Sequence, residues 1–436
     1  MKYQRFIFRD YQFDPDAKTL TLQYAIDQIL AFTETYKFDF DFVQYESKTL
    51  KRALENLFFI AGVSYYKTYI PPEIIVEKGE LDAERAAFFS KTYQRGLGEF
   101  WYVNNLDPKT PVNFPVNANS TRPTPSTGNG LLASVGGGKD SLLTIEMLRT
   151  NHENLVTWSL NHKSQLSPLV ERIGLPHLWV ERVWDPQLQE LNKQDALNGH
   201  VPISAIFACV GAVVAILAGK KDIVMSNEQS ANEPTLTYQD IEINHQYSKS
   251  QEFETDYQAI LRHDFDNSIR YYSLLRPFSE LRIAELFAQK AFTKYKDVFC
   301  SCNRAFTHGN NRMLWCGECP KCAFTFLILT PFVPREELEN IWNGKNLLLA
   351  EDLETTYQKL LGIADNKPLD CVGEIRESRA AMNLVQQQYL ELLHYHFELP
   401  KDYDWRTMGP SHMPEEMLRE LIVGPSTASS FDGLPG

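Results

Sequence analysis

The residues best suited to do chemistry stand in one short turn. Three glycines are followed at once by a lysine, an aspartate and a serine: Gly136, Gly137, Gly138, Lys139, Asp140 and Ser141. An apolar run precedes the turn and a helical pattern follows it, so bare backbone N–H groups face outward at the start of a helix, where anions bind. Glycine lets phosphate oxygens approach the backbone closely, the lysine adds a positive charge, and the serine adds a donor or caps the helix. An aspartate beside a polyanion is expected to hold Mg²⁺, so the turn predicts a nucleotide site.

A cluster of cysteines predicts a second, metal-binding site. Five of the seven cysteines fall within residues 300–322. Four of them have the spacing with which thiolates close a tetrahedral Zn²⁺ site: Cys302, Cys316, Cys319 and Cys322. Cys300 and His308 are alternative ligands, and cysteine-rich runs also hold iron–sulfur clusters. We expect a structural Zn²⁺ ion.

Polar side chains cluster at two further places. Asn198 and His200 come just before a long apolar helical run, and Asn227 and Glu228 follow a predicted strand. Ligands of a parallel sheet bind beyond the carboxyl ends of its strands. We therefore expect Asn227 and Glu228 to contribute to the nucleotide site, although asparagines and serines at such positions also serve as simple caps.

The segments that must position these residues predict an α/β fold. Apolar runs alternate with helical patterns from residue 130 onward, which is typical of a parallel sheet covered by helices. Strands are predicted over residues 131–135, 154–160, 177–183 and 222–226, and helices over residues 140–149 and 202–219.

Charge and composition exclude some classes of function. A formal net charge of −13 does not suit broad nucleic-acid binding, which needs a basic face. The longest apolar stretch, residues 203–219, is shorter than the ~20 residues of a membrane span, so we expect a buried helix and no membrane insertion. The N-terminus has scattered charges and no apolar leader core. With the crowded cysteines, this favours a reducing compartment, and we expect a cytoplasmic protein.

The glycine turn is not a Walker A loop, because aspartate follows the lysine and the glycine spacing differs. It resembles the pyrophosphatase loop of enzymes that convert ATP to AMP, whose usual form is Ser-Gly-Gly-x-Asp-Ser; Gly136 stands where that form begins with serine. This resemblance implies an adenine-nucleotide alpha-hydrolase-like core that cleaves ATP between its α and β phosphates and adenylates a carboxyl oxygen. With the cysteine pattern, the loop also resembles part of cyano-deazaguanine synthase, a much shorter enzyme.

Three regions are predicted along the chain. Residues 105–130 hold five prolines and are typical of a connection between domains. Residues 1–125 are expected to form a mainly helical N-terminal domain, with its helices within residues 46–104 and a possible role in substrate recognition. Residues 126–335 form the nucleotide-binding catalytic domain with the cysteine knuckle. Residues 336–436 form a helical extension that ends in a disordered tail, "GPSTASSFDGLPG".

Several segments taken together give a closer resemblance. "GGGKDS", "NGHVP", "SNEQSANEP", "NHQYSKSQEFE", "YYSLLRPFSELRIAELFA" and "WCGECPKCAF" resemble the UDP-N-acetylmuramoyl-L-alanyl-L-glutamate epimerase family, over residues 130–332 and more diffusely before them. That resemblance implies ATP-dependent inversion of the terminal L-glutamate of a UDP-sugar dipeptide, with Mg²⁺, in peptidoglycan precursor synthesis. Oligomeric state is not predicted.

The same resemblance implies groups that move the Cα proton. The candidates, with Asp140 as the Mg²⁺ ligand, are His200, His245, Tyr247 and Lys249. Histidine titrates near neutral pH, and a Tyr or Lys with a depressed pKa could serve the opposite face.

Four further charged residues are candidates for supporting roles. Glu228 and Glu233 are expected to orient the proton-transfer groups or bind metal. Arg276 and Arg282 are expected to pair with substrate anions, or simply to close helix ends.

Three other functions stay open on the sequence alone. One is another carboxylate-adenylating ligase or nitrile-forming synthase, which would need an ammonia source or a second nucleophile. Another is a tRNA-modifying sulfur transferase, which the acidic charge disfavours. The third is a non-catalytic nucleotide-binding regulator, which the intact sequence Lys139-Asp140-Ser141 disfavours.

Overall fold

The computed structural model describes residues 3–120, 122–306, 313–364, 367–386, 389, 392 and 395–423. The strands are β1 (Arg5–Asp14), β2 (Thr19–Ile26), β3 (Leu30–Asp39), β4 (Glu73–Val76), β5 (Leu131–Ser134), β6 (Leu155–Leu160), β7 (His177–Val183), β8 (Asp222–Met225), β9 (Leu236–Tyr238), β10 (Ile241–Ile243) and β11 (Arg270–Ser273). The helices are α1 (Ser47–Ala61), α2 (Val63–Tyr66), α3 (Ala83–Gly96), α4 (Gly98–Val103), α5 (Lys139–Arg149), α6 (Lys163–Ile173), α7 (Gln187–Asn192), α8 (Ile203–Leu217), α9 (Gln251–Phe265), α10 (Glu280–Lys290), α11 (Phe292–Tyr295), α12 (Pro320–Leu329), α13 (Arg335–Ile341), α14 (Glu354–Leu360), α15 (Ile375–Val385) and α16 (Glu415–Val423). Short 3₁₀ turns lie at Gln229–Asn232, Tyr247–Lys249, Asn303–Phe306, Leu347–Leu349 and Glu351–Leu353.

Five parallel strands form one half of a nine-stranded sheet. Their order is β11-β8-β5-β6-β7, and each pairs in parallel with its neighbour. Along the chain, β6 and β7 are added on one side of β5, and β8 and β11 on the other. The direction of winding therefore reverses between β5 and β8, where a ligand crevice opens beyond the carboxyl ends of the strands. The four predicted strands and two predicted helices of this half are confirmed, while β11 is an additional strand.

The other half of the sheet is built from the N-terminal residues. β1, β2 and β3 pair in an antiparallel meander, β4 runs parallel to β1, and β3 joins the parallel half by antiparallel pairing with β7. The prediction of a mainly helical N-terminal domain is therefore wrong for residues 5–39, whereas α1 and α3 lie within the predicted helical segment. In β3, Phe32, Glu34, Tyr36 and Phe38 are buried and alternate with more exposed residues. That alternation with a period of two is characteristic of a strand.

A buried ion pair fastens the two halves of the sheet together. Arg182 on β7 donates from Nε to Glu34 Oε1 at 2.8 Å and from Nη2 to Glu34 Oε2 at 3.0 Å. The same Nη2 also donates to Ser64 Oγ at 2.9 Å, and the Tyr36 hydroxyl donates to Glu34 at 2.7 Å. Both charged side chains are almost fully buried. Each charge therefore offsets the free-energy cost of removing the other from water.

Replacing Glu34 by alanine is expected to lower the free energy of unfolding by about 3–5 kcal/mol, because Arg182 is then left as an uncompensated buried charge. Glu181→Ala is the matched control, since Glu181 pairs with Lys37 across the same β3–β7 boundary, but with both side chains about 60% exposed. That control is expected to change stability by at most about 1 kcal/mol. Urea unfolding followed by circular dichroism checks both, and equal effects of the two substitutions would contradict the argument.

Helix α8 is the predicted buried core helix, and that prediction is confirmed. Thirteen of its fifteen residues are buried, including Gly211, where an added Cβ would lie 3.0 Å from Ile223 Cγ2. The helix therefore packs closely on the sheet. None of the described helices is long and apolar enough to cross a membrane.

The C-terminal region contains α14, α15 and α16 among its described residues, joined by irregular segments. One of these segments, between α14 and α15, carries Cys371. The tail for which disorder is predicted, residues 424–436, lies outside the described residues.

Candidate active site

The glycine turn links β5 to α5 at the point where the winding of the sheet reverses. Gly138 is the N-cap residue of α5, and Gly137 has φ +92°, a conformation that favours glycine. A Cβ at Gly137 would also lie 3.0 Å from the Cys300 carbonyl oxygen, whereas a Cβ at Gly136 would meet nothing within 4 Å. The serine that usually begins a pyrophosphatase loop would therefore fit at position 136, so glycine there does not disqualify the turn.

Lys139 is buried and makes two ion pairs, with Asp140 and with Glu280 at the start of α10. Burial raises the pKa of Asp140, but the Lys139 ammonium outweighs it and lowers that pKa overall. Burial raises the pKa of Glu280, whose backbone N–H donates to Glu377 Oε1 at 2.8 Å. Ser141 Oγ donates to the Gly138 carbonyl at 3.1 Å. Glu280, which the sequence analysis missed, is thus the group that holds the loop lysine.

The polar residues after β8 are tied to the end of β11. Asn227 Nδ2 donates to Ser273 Oγ at 3.0 Å, and the Glu228 carbonyl accepts a hydrogen bond from Arg276 Nη1 at 2.7 Å. Arg276 is fully buried and also pairs with Glu254 at 3.0 Å. The expectation that Arg276 binds a substrate anion is therefore wrong, because its guanidinium is used inside the fold.

Two other candidates for supporting roles also have protein partners. Arg282 pairs with Glu285 on its own helix. Glu233 pairs with Lys367 of the C-terminal region at 2.7 Å, so it ties that region to the segment after β8.

Five side chains from four separate segments meet in what we call the thiol cluster: Glu99, His200, His245, Lys249 and Cys371. Glu99 Oε2 bonds to His245 Nδ1 and lies 3.9 Å from His200 Nδ1. The other ring nitrogen, His245 Nε2, lies 4.0 Å from Cys371 Sγ, and Lys249 Nζ donates to the same sulfur at 3.3 Å. The two imidazole rings are 4.6 Å apart between centroids. Three of the four predicted proton-transfer residues thus come together, around a cysteine that the sequence analysis did not single out.

Local packing explains how α4 reaches this cluster. Gly98 begins α4 and faces Ile243 on β10, where an added Cβ would lie 3.3 Å from Ile243 Cγ2. The missing side chain lets the next residue, Glu99, approach the turn that carries His245. Glu99 could not be found from the sequence, because it lies 146 residues from its histidine partner.

The charged groups of the thiol cluster shift one another's pKa values. Burial raises the pKa of Cys371, but Lys249 and the hydrogen bond with His245 outweigh it and lower that pKa to about 6. Burial lowers the pKa of His245, but its hydrogen bonds with Cys371 and Glu99 raise it to about 9. His200 differs, since burial and the neighbouring His245 lower its pKa to about 4. Near neutral pH these shifts favour a Cys371 thiolate, a His245 imidazolium and a neutral His200 imidazole.

The expectation that Tyr247 or Lys249 has a depressed pKa is wrong. Burial lowers the pKa of Lys249, but Cys371 and Glu228 outweigh it and raise that pKa above its usual value, so Lys249 is a cation and not a base. Tyr247 is buried away from the cluster, with its ring 6.2 Å from the Phe253 ring and 5.9 Å from the Arg95 guanidinium. Burial raises the pKa of Tyr247, which makes it unsuited to abstract a proton.

A cleft of about 1430 Å³ opens beside the thiol cluster, along the junction of β3 and β7. Basic and aromatic side chains line it, among them Lys18, Lys37, Lys163, Trp179, Trp184 and His200. Its volume exceeds the ~300–1,000 Å³ of a typical small-molecule pocket. The cleft can therefore hold a large ligand whose one end reaches His200.

The four predicted cysteine ligands come together in a tetrad. The Sγ atoms of Cys302 and Cys319 are 3.8 Å apart, and those of Cys316 and Cys322 are 3.7 Å apart. Thiolates bound tetrahedrally at a Zn–S distance of about 2.3 Å are separated by about 3.8 Å, so the tetrad fits Zn²⁺. All four sulfur atoms lie within 4.8 Å of one another.

The remaining alternatives for metal ligands do not join the tetrad or are not described. Cys300 lies outside it and accepts a hydrogen bond from the Cys302 N–H at 3.4 Å. His308 lies outside the described residues. The Cys300 N–H also donates to the Gly137 carbonyl at 2.9 Å, so the cysteine knuckle is attached to the glycine turn.

Comparisons with known proteins agree over most of the chain. A family model described as the MurL N-terminal domain matches residues 1–274, and one described as the MurL C-terminal domain matches residues 298–391. A curated relative from Xanthomonas oryzae is 41% identical over 394 residues, which cover 88% of this chain and 86% of the relative. One from a Micromonospora species is 40% identical over 343 residues, 78% of this chain and 76% of the relative. One from Salinispora tropica is 37% identical over 393 residues, 88% of this chain and 85% of the relative. Each of these relatives is named UDP-N-acetyl-alpha-D-muramoyl-L-alanyl-L-glutamate epimerase.

Proposed function

The chain belongs to the family of UDP-N-acetyl-alpha-D-muramoyl-L-alanyl-L-glutamate epimerases, and we propose that it inverts the terminal L-glutamate of that UDP-sugar dipeptide by way of an acyl-adenylate made from ATP. The product carries D-glutamate and serves peptidoglycan precursor synthesis. AMP and pyrophosphate are released in each turnover.

Activation of the carboxylate is the chemical reason for using ATP. Removing a proton from the carbon beside a carboxylate would place a second negative charge on an anion, so that proton is very weakly acidic. An acyl-adenylate no longer carries the carboxylate charge, and its carbonyl oxygen can accept the electron pair. A base can then remove the Cα proton, and a proton can return on the other face. Hydrolysis of the mixed anhydride restores the carboxylate.

The observation that carries the proposal is the position of the glycine turn, at the carboxyl end of β5 and the N-terminus of α5. Its N–H groups are suited to the pyrophosphate, and the strand order supports an adenine-nucleotide alpha-hydrolase-like core. Asp140 is the residue suited to Mg²⁺, which neutralises phosphate charge when it is bound. Asn227 and Glu228 lie after β8, across the crevice from the turn.

The cleft beside the thiol cluster is proposed to bind the UDP-sugar dipeptide. Lys18, Lys37 and Lys163 are each paired with an exposed carboxylate, from which a bound diphosphate would have to draw them. Trp179 and Trp184 offer ring faces for a base or sugar. His200 lies both in the cleft lining and in the cluster. This supports an orientation in which the glutamate end of the substrate lies near the cluster and the nucleotide end farther out.

The cysteine tetrad is proposed to hold one structural Zn²⁺ ion. All four thiols are used as ligands, which leaves no open position for chemistry. All seven cysteines lie within the described residues and none forms a disulfide, and we propose a reducing compartment, the cytoplasm, for the protein.

The proposed function is tested by incubating the protein in D₂O with ATP, Mg²⁺ and the UDP-N-acetylmuramoyl-L-alanyl-L-glutamate substrate. We expect AMP together with D-glutamate that carries one deuterium at Cα, measured by mass spectrometry and chiral analysis. An ATP analogue with a methylene bridge between its α and β phosphates is the control, and it should support neither inversion nor exchange. Release of AMP without exchange or inversion would move the chain to the ligase or synthase function. Folded protein that gives neither AMP nor exchange would overturn the proposal.

A further inference from the structure

We propose that Cys371 is the base that removes the Cα proton in the epimerisation, with Lys249 and the His245–Glu99 pair as the residues that position its thiolate. This inference rests on the proposed function. In the step itself, the Cα–H bond breaks, an S–H bond forms, and the electron pair moves onto the carbonyl oxygen of the acyl-adenylate. Water in the cleft supplies the proton to the other face, and the Cys371 thiol then returns the balancing proton to solvent.

The geometry around the sulfur is that of a held thiolate. Lys249 Nζ donates to Sγ at 3.3 Å, and His245 Nε2 lies 4.0 Å from the same sulfur. The histidine ring is fixed in turn, because its Nδ1 bonds to Glu99. A reactive group, a ring beside it and a carboxylate that orients the ring form the usual arrangement of an activated side chain in enzymes. A structural cysteine needs none of these partners.

The position of the cluster fits the proposed substrate. His200 lies beside His245 and lines the large cleft, so the cluster stands at the inner end of the proposed binding site. In addition, the negative charge of Asp140 in the glycine loop contributes to raising the pKa of Lys249. The thiol cluster is therefore close enough to the proposed nucleotide loop to interact electrostatically with Asp140, and it shares His200 with the proposed substrate cleft. Cys371 is itself only partly buried.

The charged groups around Cys371 favour the thiolate on balance. Lys249, His245 and Lys321 each lower the pKa of the thiol, and the Lys321 ammonium donates to the Cys371 carbonyl oxygen. The adjacent Asp370 is a carboxyl whose own pKa burial raises. The positive charges of Lys249 and His245, both next to the sulfur, lower the pKa of the thiol despite the neighbouring carboxyl.

The decisive experiment is Cys371→Ser, assayed in D₂O for AMP release, deuterium at Cα and inversion. Adenylation should continue, since the loop is untouched, while exchange and inversion should both fall by about 10²–10⁴-fold. Cys209→Ala is the matched control, because Cys209 is a buried cysteine of α8 outside the cluster, and its activity should match that of the unchanged protein. Thermal unfolding of each variant shows that it is folded.

Three outcomes would overturn the inference, and a fourth would instead overturn the proposed function. Inversion by Cys371→Ser within threefold of the unchanged enzyme shows that the thiol is not the base. If folded Cys371→Ser protein loses both AMP release and inversion, Cys371 acts in the adenylation of the substrate carboxylate and not in proton removal. A substrate adduct on Cys371, found by mass spectrometry of the denatured enzyme, makes it a covalent nucleophile. Failure of the unchanged enzyme to release AMP is a failure of the proposed function and not of Cys371.

A second readout does not depend on turnover. Alkylation of Cys371 by iodoacetamide, followed by peptide mass spectrometry, should be half-maximal near pH 6 and should slow as the pH falls below that value, because the thiolate is then protonated. In Lys249→Met the midpoint should move up by at least about one pH unit, which lowers the rate at pH 6 at least about fivefold. An unchanged midpoint in that variant would overturn the role given to Lys249 and the charge argument for the base.

Discussion

Asp140→Asn is expected to reduce AMP release by about 10³-fold or more, because the variant keeps the shape of the side chain and loses the charge that pairs with Lys139 and that we propose for Mg²⁺ binding. Inversion and deuterium exchange should fall by the same factor, since both follow adenylation. This pattern differs from that of Cys371→Ser, in which AMP release continues. The two variants therefore separate activation from proton transfer. AMP is measured by chromatography at saturating ATP.

Glu146→Gln is the matched control for the aspartate variant. Glu146 also lies on α5 and also loses a negative charge, but its partners are Tyr295, Lys294 and Arg149, away from the glycine turn. Its AMP release should stay within about twofold of the unchanged enzyme. If Asp140→Asn releases AMP at the rate of this control, the glycine loop is not the adenylation site.

Cys322→Ser is expected to have the largest effect on stability, lowering the free energy of unfolding by about 5 kcal/mol or more. Binding of a structural Zn²⁺ ion contributes about 10–16 kcal/mol in small zinc-binding peptides at pH 7, and a tetrad with three thiols loses much of that. Cys322 is buried among the helices that follow the knuckle, so its loss also loosens their core. Because Cys300 bonds to Gly137, AMP release should fall as well. Thermal unfolding and elemental analysis check the first claims, with one zinc expected per unchanged chain.

Cys300→Ser is the control for the tetrad, since Cys300 is a neighbouring buried cysteine that is not one of the four. This variant should keep its zinc, and its free energy of unfolding should fall by about 1 kcal/mol at most. Retention of zinc by Cys322→Ser, or equal destabilisation by the two variants, would count against the tetrad. Iron and acid-labile sulfide in the purified protein would point to an iron–sulfur cluster.

The parts of the fold that local pattern encodes could be predicted. The strand over His177–Val183 matches its predicted bounds, because apolar alternation is a property of the segment itself. The meander could also have been found, since β3 shows the same alternation in Leu30–Asp39. Its pairing with β7 could not, because the partner lies far along the chain and no local rule selects it.

The site residues also fall into those that the sequence predicts and those that it does not. The glycine turn and the four cysteines were predictable, because their spacing within a short segment defines their geometry. Cys371 gives no such signal, since it stands alone in an irregular segment. Its lowered pKa depends on contacts with distant residues, among them His245, 126 residues away. Glu280 likewise meets Lys139 across 141 residues. Groups assembled by packing need a structure before their chemistry can be seen.

The junction of β3 with β7 has a consequence for how the chain is synthesised. Thr33 N–H donates to Asp185 Oδ2 at 2.8 Å across 152 residues, so the meander must wait for a partner made much later. At ~5–20 residues per second a ribosome needs on the order of 10 s to travel from β3 to β7. During that interval β3 is an open edge whose backbone N–H and C=O groups can pair with another nascent chain. We therefore expect the refolding yield to fall as protein concentration rises, because the open edge of one chain can then pair with that of another.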